Sequence, residues 1–375
     1  MNADDFSSHV ACFMQDLFKY QLAVATLHPM PPSDPDPPIG CDPELIVFCR
    51  NAIRILIIAF TNITYISWDF ASYVEDCKAS ALGHGDRKEK EEELLQRWPP
   101  EYPVTVHVDN PRVFADPSGR LIAWVLPEIV PPTYQDQLHR GTKLLEPFLV
   151  QKLGEAQFSG SWRSNLEYFS DDNSFIRSGF VNFSPAWYMA GHNDPLCTTP
   201  ILESPDGMEF LATTKEVFAL ITGILAVVHP KQYAMAKEMK RAMIESGQCE
   251  EALCRWPTVF TAISIISNRE SPLHRDLHEA WEWFDFLLSI GPYEQAPLYL
   301  PNLGIRVNNH PGTICAFGGR ALWHGVRKVS PRITFALYMR KLVQEGLEIE
   351  PAGWITQLEY EMYIGVNRQH LRRRE

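Results

Sequence analysis

The stretch that decides the fold is residues 267–340, which reads SNRESPLHRDLHEAWEWFDFLLSIGPYEQAPLYLPNLGIRVNNHPGTICAFGGRALWHGVRKVSPRITFALYMR. It contains a His-Arg-Asp motif at 274–276, a second histidine, His324, fifty residues after the first, and an Arg-Ile-Thr motif at 332–334 that begins eight residues later. Imidazole, carboxylate, guanidinium and hydroxyl groups in this order suggest that a site is assembled from separate segments of the chain.

Local sequence places these motifs on β-strands. Runs rich in β-branched and aromatic residues, separated by Pro-Gly, Gly-Gly and Ser-Pro turn signals, predict strands at 259–267, 297–307, 312–317 and 332–339. In extended backbone, residues i and i+2 point the same way, so His274 and Asp276 face one side and Arg275 faces the other. Between the first two predicted strands, a helical apolar stripe over 279–290, followed by Gly-Pro, predicts a helix.

His274, Asp276 and His324 have the composition of a non-haem Fe(II) site. Two imidazoles and one carboxylate occupy one face of an octahedral iron and leave three positions for a keto-acid cosubstrate and O2. Arg332 would bind the far carboxylate of 2-oxoglutarate through two parallel hydrogen bonds, and Thr334, on the same face of the strand, would add a hydroxyl. The alternative is a structural His-x-Asp pair, since such pairs often arise by chance. The ordered set of motifs favours the metal site.

Two upstream features receive structural interpretations. His192 and Asp194 form a second His-x-Asp pair without an evident later partner, which predicts a structural role. Residues 157–187 alternate aromatic and small polar residues. Core packing is favoured over a nucleic-acid path for four members of this segment: Trp162, Arg163, Tyr168 and Phe169.

Several motifs resemble the TET/JBP family of Fe(II)/2-oxoglutarate-dependent DNA dioxygenases, and the longer ones are closest to its fungal members. The resemblance covers roughly residues 102–340. The motifs that carry it are NFSPAWYM (182–189), LAVVHP (225–230), SNRESPLHRD (267–276), HRDLHE (274–279), LPNLGIRVNNHPGTICAFGGRALWHGV (300–326) and RITFALYMR (332–340).

The resemblance implies an α+β protein whose core is a double-stranded β-helix (jelly-roll or cupin-like) flanked by helices. It implies Fe(II), 2-oxoglutarate and O2 as cofactor and cosubstrates, and methylated DNA as the partner, with the target base flipped out of the duplex into the site. The expected reaction is oxidation of 5-methylcytosine to 5-hydroxymethylcytosine and further oxidised forms, with demethylation of N6-methyladenine as a second activity.

Glu279, Tyr338 and Arg340 are the candidate substrate-binding residues. In the family pattern an Asn stands where this chain has Glu279, an aromatic residue matches Tyr338, and a His stands at Arg340. A carboxylate at 279 accepts from the amine of cytosine or from N6 of adenine, so the preferred base stays open. Glu279 has the alternative role of capping the helix predicted to begin there, and Tyr338 that of core packing. Asn268 and Arg269 are further candidates for the base pocket.

Composition fits one elaborated globular domain but is acidic for a nucleic-acid enzyme. The 375 residues are 45% hydrophobic and carry a net charge of −12. Phosphate contacts demand a basic surface, although a positive groove can lie on an acidic body. A basic cluster is predicted at the mouth of the site, and a basic tail at the C-terminus: Arg320, Arg327, Lys328, Arg340 and Lys341, then Arg368, Arg372, Arg373 and Arg374.

Two other classes of function remain open. One is a 2-oxoglutarate oxygenase that acts on a small molecule or a protein side chain, which the acidity favours. The other is a non-catalytic nucleic-acid-binding relative that keeps the fold. Localisation in the nucleus follows only from the expected DNA substrate. A monomer is expected, and the eight cysteines, without a Cys-x-x-Cys motif, are predicted to be free thiols.

The chain is predicted to divide into three parts. These are a helical extension over 1–100 with a Pro-rich linker (29–43) and a charged segment, a dioxygenase domain over 101–345, and a C-terminal extension over 346–375. The most apolar segment, 45–68, is interrupted by two arginines, and its uncharged part is shorter than the roughly 20 residues of a membrane span. It predicts a buried helix and no membrane association. The remaining predicted elements are a short amphipathic helix within 1–28, a loop that leads into a charged helix across 77–97, helices over 134–152, 213–228 and 230–246, and a hairpin of 104–108 with 121–130.

Overall fold

The computed structural model describes residues 3–26, 32–82, 87–100, 105–151, 162–188 and 195–363. Within these ranges the helices are α1 (Ala3–Ala25), α2 (Pro43–Thr61), α3 (Phe70–Leu82), α4 (Arg87–Arg97), α5 (Pro132–Leu144), α6 (Pro205–Thr213), α7 (Lys215–Val228), α8 (Pro230–Glu245), α9 (Glu250–Arg255), α10 (Lys341–Gly346) and α11 (Gln357–Tyr363).

Most of the strands come from the second half of the chain. They are β1 (Ile63–Tyr65), β2 (Val106–Val108), β3 (Arg112–Ala115), β4 (Leu121–Leu126), β5 (Gly179–Phe183), β6 (Trp187–Tyr188), β7 (Leu196–Cys197), β8 (Ala262–Ser267), β9 (Ser271–His274), β10 (Asp285–Ile290), β11 (Leu298–Leu300), β12 (Ile305–Val307), β13 (Ile314–Phe317), β14 (His324–Val326) and β15 (Ile333–Tyr338).

The strands from β8 onward alternate between two sheets, except that the consecutive strands β11 and β12 pair with each other in the smaller sheet. In the larger sheet β13, β10, β15 and β8 are neighbours, and in the smaller sheet β12, β11, β14 and β9 are neighbours, with antiparallel pairing throughout. Eight strands divided in this way between two sheets form a jelly roll. The larger sheet continues through β4, β3 and β1 at one edge and β5 at the other, and β2 extends the smaller sheet. The prediction of an α+β fold with a double-stranded β-helix core flanked by helices is confirmed.

The helices add a second layer of apolar packing to this core. α7 is buried along almost its whole length, and α1 packs so closely on it that a side chain at Gly223 would collide with Met14. α2 begins at an N-cap, Asp42, whose side chain accepts from the backbone N–H of Glu44 at 2.7 Å. One face of α2 is buried in the same core. The prediction of a buried helix in the 45–68 segment is confirmed for Pro43–Thr61.

No single helix in the described ranges is long and apolar enough to cross a membrane. The pair α6 and α7 meets the length and composition criteria only when joined across a 59° bend, and α7 is buried in the core. Helices α1 and α2, from the predicted N-terminal extension, share that core with the jelly roll. The division of the chain at residues 100 and 345 stays a prediction.

The helix predicted over 279–290 is wrong. Its second half is strand β10, which is hydrogen-bonded to β13 on one side and to β15 on the other. A central strand with both faces buried reads as a continuous apolar run, which periodicity cannot distinguish from a buried helix. Because no helix begins at Glu279, the helix-cap alternative for that residue falls with it.

The predicted hairpin pairs the wrong first strand. β4 pairs with β3, across a turn in which the Asp116 carboxylate accepts from the backbone N–H groups of Ser118 and Arg120. The short turn therefore joins β4 to β3, the strand directly before it. β2 instead pairs with β12 in the smaller sheet. The helix predicted over 134–152 ends at Leu144, shortly before Pro147, which cannot continue it.

Candidate functional site

The candidate site is a cavity of about 370 Å³ between the two sheets. The smaller sheet contributes β9 and β14, on which His274 and His324 are directly opposite each other. The eight residues predicted from the sequence to bind metal, cosubstrate or substrate all line this one cavity. The wall on the larger sheet includes two rows across β5, β8 and β15: Phe180, Ile266 and Thr334, then Asn182, Ser264 and Ala336.

The three candidate metal ligands converge on one point. Nε2 of His274 lies 3.6 Å from Oδ1 of Asp276, and Nε2 of His324 lies 3.5 Å from Oδ2. Ligand atoms of all three residues lie within 4.8 Å of one another. Strand pairing aligns the two histidines, while a hydrogen bond from the Asp276 N–H to the Gly319 oxygen, 3.0 Å, fixes the segment after β9. The set matches the two-histidine, one-carboxylate face that binds non-haem Fe(II).

Backbone carbonyls orient both imidazoles. Nδ1 of His274 lies 2.8 Å from the oxygen of Pro272, and Nδ1 of His324 lies 2.9 Å from the oxygen of Leu322. A carbonyl only accepts, so each Nδ1 carries the proton and donates, which leaves the Nε2 lone pair directed at the shared centre. Metal-binding histidines are oriented in this way, and the donor set therefore fits a metal ion.

Charges in the cavity favour the protonation states that a metal requires. Desolvation acts to raise the pKa of Asp276, but the imidazoles of His274 and His324 and the guanidinium of Arg163 hold it below its usual range. Nη2 of Arg163 lies 3.3 Å from Oδ1 of Asp276. Burial lowers the pKa of His324 to about 4, so this ring is neutral at physiological pH. An ionised carboxylate and a neutral imidazole are metal ligands without further proton loss.

Two more buried carboxyl groups, Glu279 and Asp285, lie beside Asp276. Burial and the charge of Asp276 raise the pKa of Glu279 to about 7. Burial and the neighbouring Glu279 raise the pKa of Asp285 well above its ordinary value. Oδ2 of Asp285 accepts from the Gly319 N–H at 3.1 Å, and its Oδ1 has no partner among the described residues. Sequence analysis missed Asp285, because a single acid in an apolar run gives no signal of a site.

Substitution Gly319→Ala is expected to weaken metal binding roughly tenfold or more. A Cβ at Gly319 would lie 2.5 Å from Oδ2 of Asp285 and 2.8 Å from Oδ2 of Asp276, so the carboxylate that completes the ligand set must move. Titration with Co(II), followed by its visible absorption, measures the affinity. Gly353→Ala is the matched control, since no atom lies within 4 Å of its Cβ position. Equal affinities in the two variants would contradict the expected crowding.

Arg332 lines the cavity and has buried donors without a partner among the described residues. Nη2 donates to the backbone oxygen of Arg269 at 2.5 Å, whereas Nε and Nη1 have no partner among the residues that the structure describes. Burial lowers the pKa of this guanidinium to about 10, which leaves it charged at neutral pH. Oγ1 of Thr334, on the same wall, lies 3.0 Å from Oγ of Ser289. A buried guanidinium with two unsatisfied nitrogens, on the same wall as a hydroxyl, fits a carboxylate ligand.

The candidate substrate residues line the cavity as well. Glu279 is buried, and its backbone oxygen accepts from Nη1 of Arg320 at 2.6 Å. Tyr338 lies on the cavity face of β15, on the same side of the strand as Thr334 and four residues further along. The Arg340 guanidinium lies 5.0 Å from the Trp187 ring centroid and 5.9 Å from that of Tyr338. Their roles as substrate contacts stay predictions.

Sequence analysis underrated a group of aromatic and basic residues. The buried Arg269 guanidinium lies 5.2 Å from the ring of Trp162, 5.9 Å from that of Phe169 and 5.4 Å from that of Phe180. Arg269 and Arg163 both line the cavity. Core packing, the role favoured from the sequence, therefore does not describe Arg163. No sequence signal marks this group: Arg269 lies just before the metal motif outside any recognisable pattern, and the other members lie far upstream of it.

Asn268 has a structural role instead of the predicted place in the base pocket. Its side chain accepts from the Arg332 N–H at 2.8 Å and donates to two backbone oxygens at 2.9 Å, so its hydrogen bonds hold the loop before β9. It is not among the residues that line the cavity. The pair His192 and Asp194 lies outside the described residues.

The predicted basic cluster is more dispersed than expected. Arg340 lines the cavity, while Arg320 contacts Glu279 from outside it. Arg327 and Lys328 are exposed, and Nζ of Lys341 pairs with Glu345 at 2.8 Å. The four arginines of the predicted tail lie outside the described residues.

Residues 184–341 match the profile of the Tet_JBP family, described as the oxygenase domain of the 2OGFeDO superfamily. The match spans less than half of the chain. Among solved structures, NgTET1 in complex with 5mC DNA aligns with a TM-score of 0.45 and 11% identity, covering 74% of this chain and 93% of that chain. No curated protein is found to match. The family match supports the resemblance to TET/JBP oxygenases at the level of the oxygenase domain, and the likeness to fungal members stays a prediction.

Proposed function

We propose that this protein is an Fe(II)- and 2-oxoglutarate-dependent dioxygenase that oxidises methylated bases in DNA. The candidate substrates are 5-methylcytosine, converted to 5-hydroxymethylcytosine and further oxidised forms, and N6-methyladenine, which would be demethylated. One observation carries the proposal: the three candidate metal ligands line the same cavity as a buried arginine, two of whose nitrogens lack a partner among the described residues. The match of residues 184–341 to an oxygenase domain supports it independently.

The chain's own residues would divide the work as follows. His274, Asp276 and His324 would hold Fe(II), with both imidazoles oriented by backbone carbonyls. Arg332 would bind the C5 carboxylate of 2-oxoglutarate and keep that end fixed, with the Thr334 hydroxyl beside it. Iron, 2-oxoglutarate and O2 together supply the oxidation of a substrate C–H bond, with release of succinate and CO2.

The cosubstrate and the substrate would bind at opposite ends of strand β15. Thr334 and Tyr338 lie on the same face of the strand, and four residues of extended backbone span roughly 13 Å. A methylated base flipped out of the duplex would then lie near Tyr338, Glu279 and Arg340. Glu279 would accept a hydrogen bond from the exocyclic amine of either base, because both amines are donors.

The same proposal includes nuclear localisation and action as a monomer, both of which follow from a DNA substrate and a site contained in one chain. The competing assignment is a 2-oxoglutarate oxygenase for a small molecule or a protein side chain. The net charge of −12 favours that alternative, since an acidic surface repels phosphates.

The decisive experiment is mass spectrometry of nucleosides and succinate after incubation with Fe(II), ascorbate, 2-oxoglutarate and duplex DNA. Separate duplexes carry 5-methylcytosine, N6-methyladenine or no methyl group. Oxidised products from a methylated duplex, absent with Asp276→Ala, are expected. Succinate formation while both methylated bases survive would overturn the DNA assignment and leave the oxygenase. If Asp276→Ala still formed succinate and oxidised the same methylated base as the wild type, the proposed iron site would be overturned.

A further inference from the structure

The middle residue of the His-Arg-Asp motif faces away from the cavity and is buried against the N-terminal helices. Nη2 of Arg275 donates to Oε2 of Glu91 at 2.7 Å, and its Nε donates to Oε1, so the pairing is bidentate. Nη2 also donates to the hydroxyl of Tyr73 at 2.7 Å. Arg275 and Glu91 are both less than one-tenth exposed. A buried charge pair of this kind tolerates little displacement, since either partner alone would be left uncompensated.

The contacts of Arg275 extend to the segment that carries the distal histidine. Its Nη1 donates to the backbone oxygen of Ala321, and the Tyr73 hydroxyl donates to the same oxygen at 2.8 Å. One residue later, the oxygen of Leu322 accepts from Nδ1 of His324. The network therefore joins the segment of His274 and Asp276, the segment of His324 and the two helices α3 and α4.

Helix α4 attaches to the body of the protein through few apolar groups. Leu94 is buried, whereas most residues of this strongly charged helix are exposed. Its C-terminal end is held by a hydrogen bond from Nε1 of Trp98 to Asp76 at 2.8 Å. With so little apolar burial, the ion pair of Glu91 with Arg275 is the principal contact between α4 and the candidate metal site.

We propose that Glu91 and Arg275 form a clamp through which α4 positions the metal ligands, so that docking of α4 and metal binding are coupled. This inference rests on the proposed metal centre. In extended backbone, Arg275 points opposite to His274 and Asp276, and a fixed Arg275 therefore fixes the directions of both ligands. Coupling between two sites is reciprocal: if a docked α4 raises metal affinity, bound metal stabilises the docked α4 by the same factor.

The first test compares the Co(II) affinity of wild type and Glu91→Gln by visible absorption. Substituting groups that orient ligands typically weakens metal binding roughly 10–100-fold, and a loss of at least tenfold, with a changed Co(II) spectrum, is expected. Glu92→Gln is the matched control. Its side chain is 56% exposed and pairs only loosely with Lys88, at 3.7 Å, so its affinity should stay within about twofold of wild type.

A second variant separates positioning from loss of folding. Replacing both partners, Glu91→Met with Arg275→Met, leaves no uncompensated buried charge, and such exchanges are often neutral for stability. The double variant should melt close to wild type yet bind Co(II) at least tenfold more weakly. Wild-type affinity in the double variant would overturn the clamp.

Limited trypsin digestion tests the reciprocal effect. Saturating Co(II) should slow cleavage after Lys90 and Arg97 severalfold in the wild type. In Glu91→Gln, Co(II) should leave the rate of cleavage at these two sites unchanged. Metal binding by the wild type, with equal affinity in Glu91→Gln and no protection of α4, would overturn the coupling and leave the metal centre. Failure of the wild type to bind Co(II) would instead overturn the proposed metal centre itself.

Discussion

Substitution Asp276→Ala is expected to abolish metal binding and to lower 2-oxoglutarate turnover at least roughly 1,000-fold. Asp276 is the only carboxylate in the candidate ligand set, and it also neutralises Arg163, 3.3 Å away. Its removal leaves two imidazoles beside an uncompensated cation, which repels a divalent ion. Co(II) titration measures the binding, and succinate formation measures the turnover.

Asp136→Ala is the control for Asp276→Ala, because Asp136 is exposed on α5, away from the residues that line the cavity. It should retain wild-type turnover. If Asp276→Ala kept more than a tenth of the wild-type turnover, the assignment of the ligand set would be wrong. A simultaneous fall in melting temperature would not explain a selective loss of Co(II) binding by protein that remains folded.

The part of the site that could be predicted from sequence follows short-range rules. The alternation of side chains along a strand places His274 and Asp276 on one side, and the same rule places Thr334 and Tyr338 on one face of β15. His324 was identified from its place in the ordered set of motifs, after His-Arg-Asp and before Arg-Ile-Thr. Runs of β-branched residues ended by Pro and Gly signals predicted individual strands, whereas the jelly-roll arrangement of those strands came from the resemblance to the TET/JBP family.

Features that depend on long-range burial could not be predicted. The sequence of β10 resembles that of a buried helix because nearly all of its side chains, on both faces of the strand, are buried. Its two edges pair with β13 and β15. Arg163 reaches Asp276 across 113 positions of chain, and Asp285 becomes part of the site only because Gly319 approaches it closely. The tie from Glu91 to Arg275 spans 184 positions. No local pattern encodes contacts of this length.

Arg332→Met should raise the KM for 2-oxoglutarate at least roughly 100-fold. The Arg332 guanidinium lines the cavity, its Nε and Nη1 lack a partner among the described residues, and one edge of it would donate two hydrogen bonds to the C5 carboxylate. Hydrogen bonds to charged groups contribute about 1.5–3 kcal/mol each, so losing two corresponds to a factor of roughly 100 or more in affinity. Methionine preserves much of the apolar stem, which limits the effect on packing. Initial rates of succinate formation across a range of 2-oxoglutarate concentrations give the KM.

The kinetic pattern of the Arg332 variant distinguishes anchoring from other roles. An anchor that holds the cosubstrate in both ground and transition states changes KM and leaves kcat largely intact. Arg327→Met is the matched control, because Arg327 is exposed and lies outside the cavity lining, so its KM should be unchanged. A fall in kcat at unchanged KM would assign Arg332 to positioning of the loop at Arg269, whose backbone oxygen it contacts at 2.5 Å. The carboxylate of the cosubstrate would then have to bind another cation that lines the cavity: Arg163, Arg269 or Arg340.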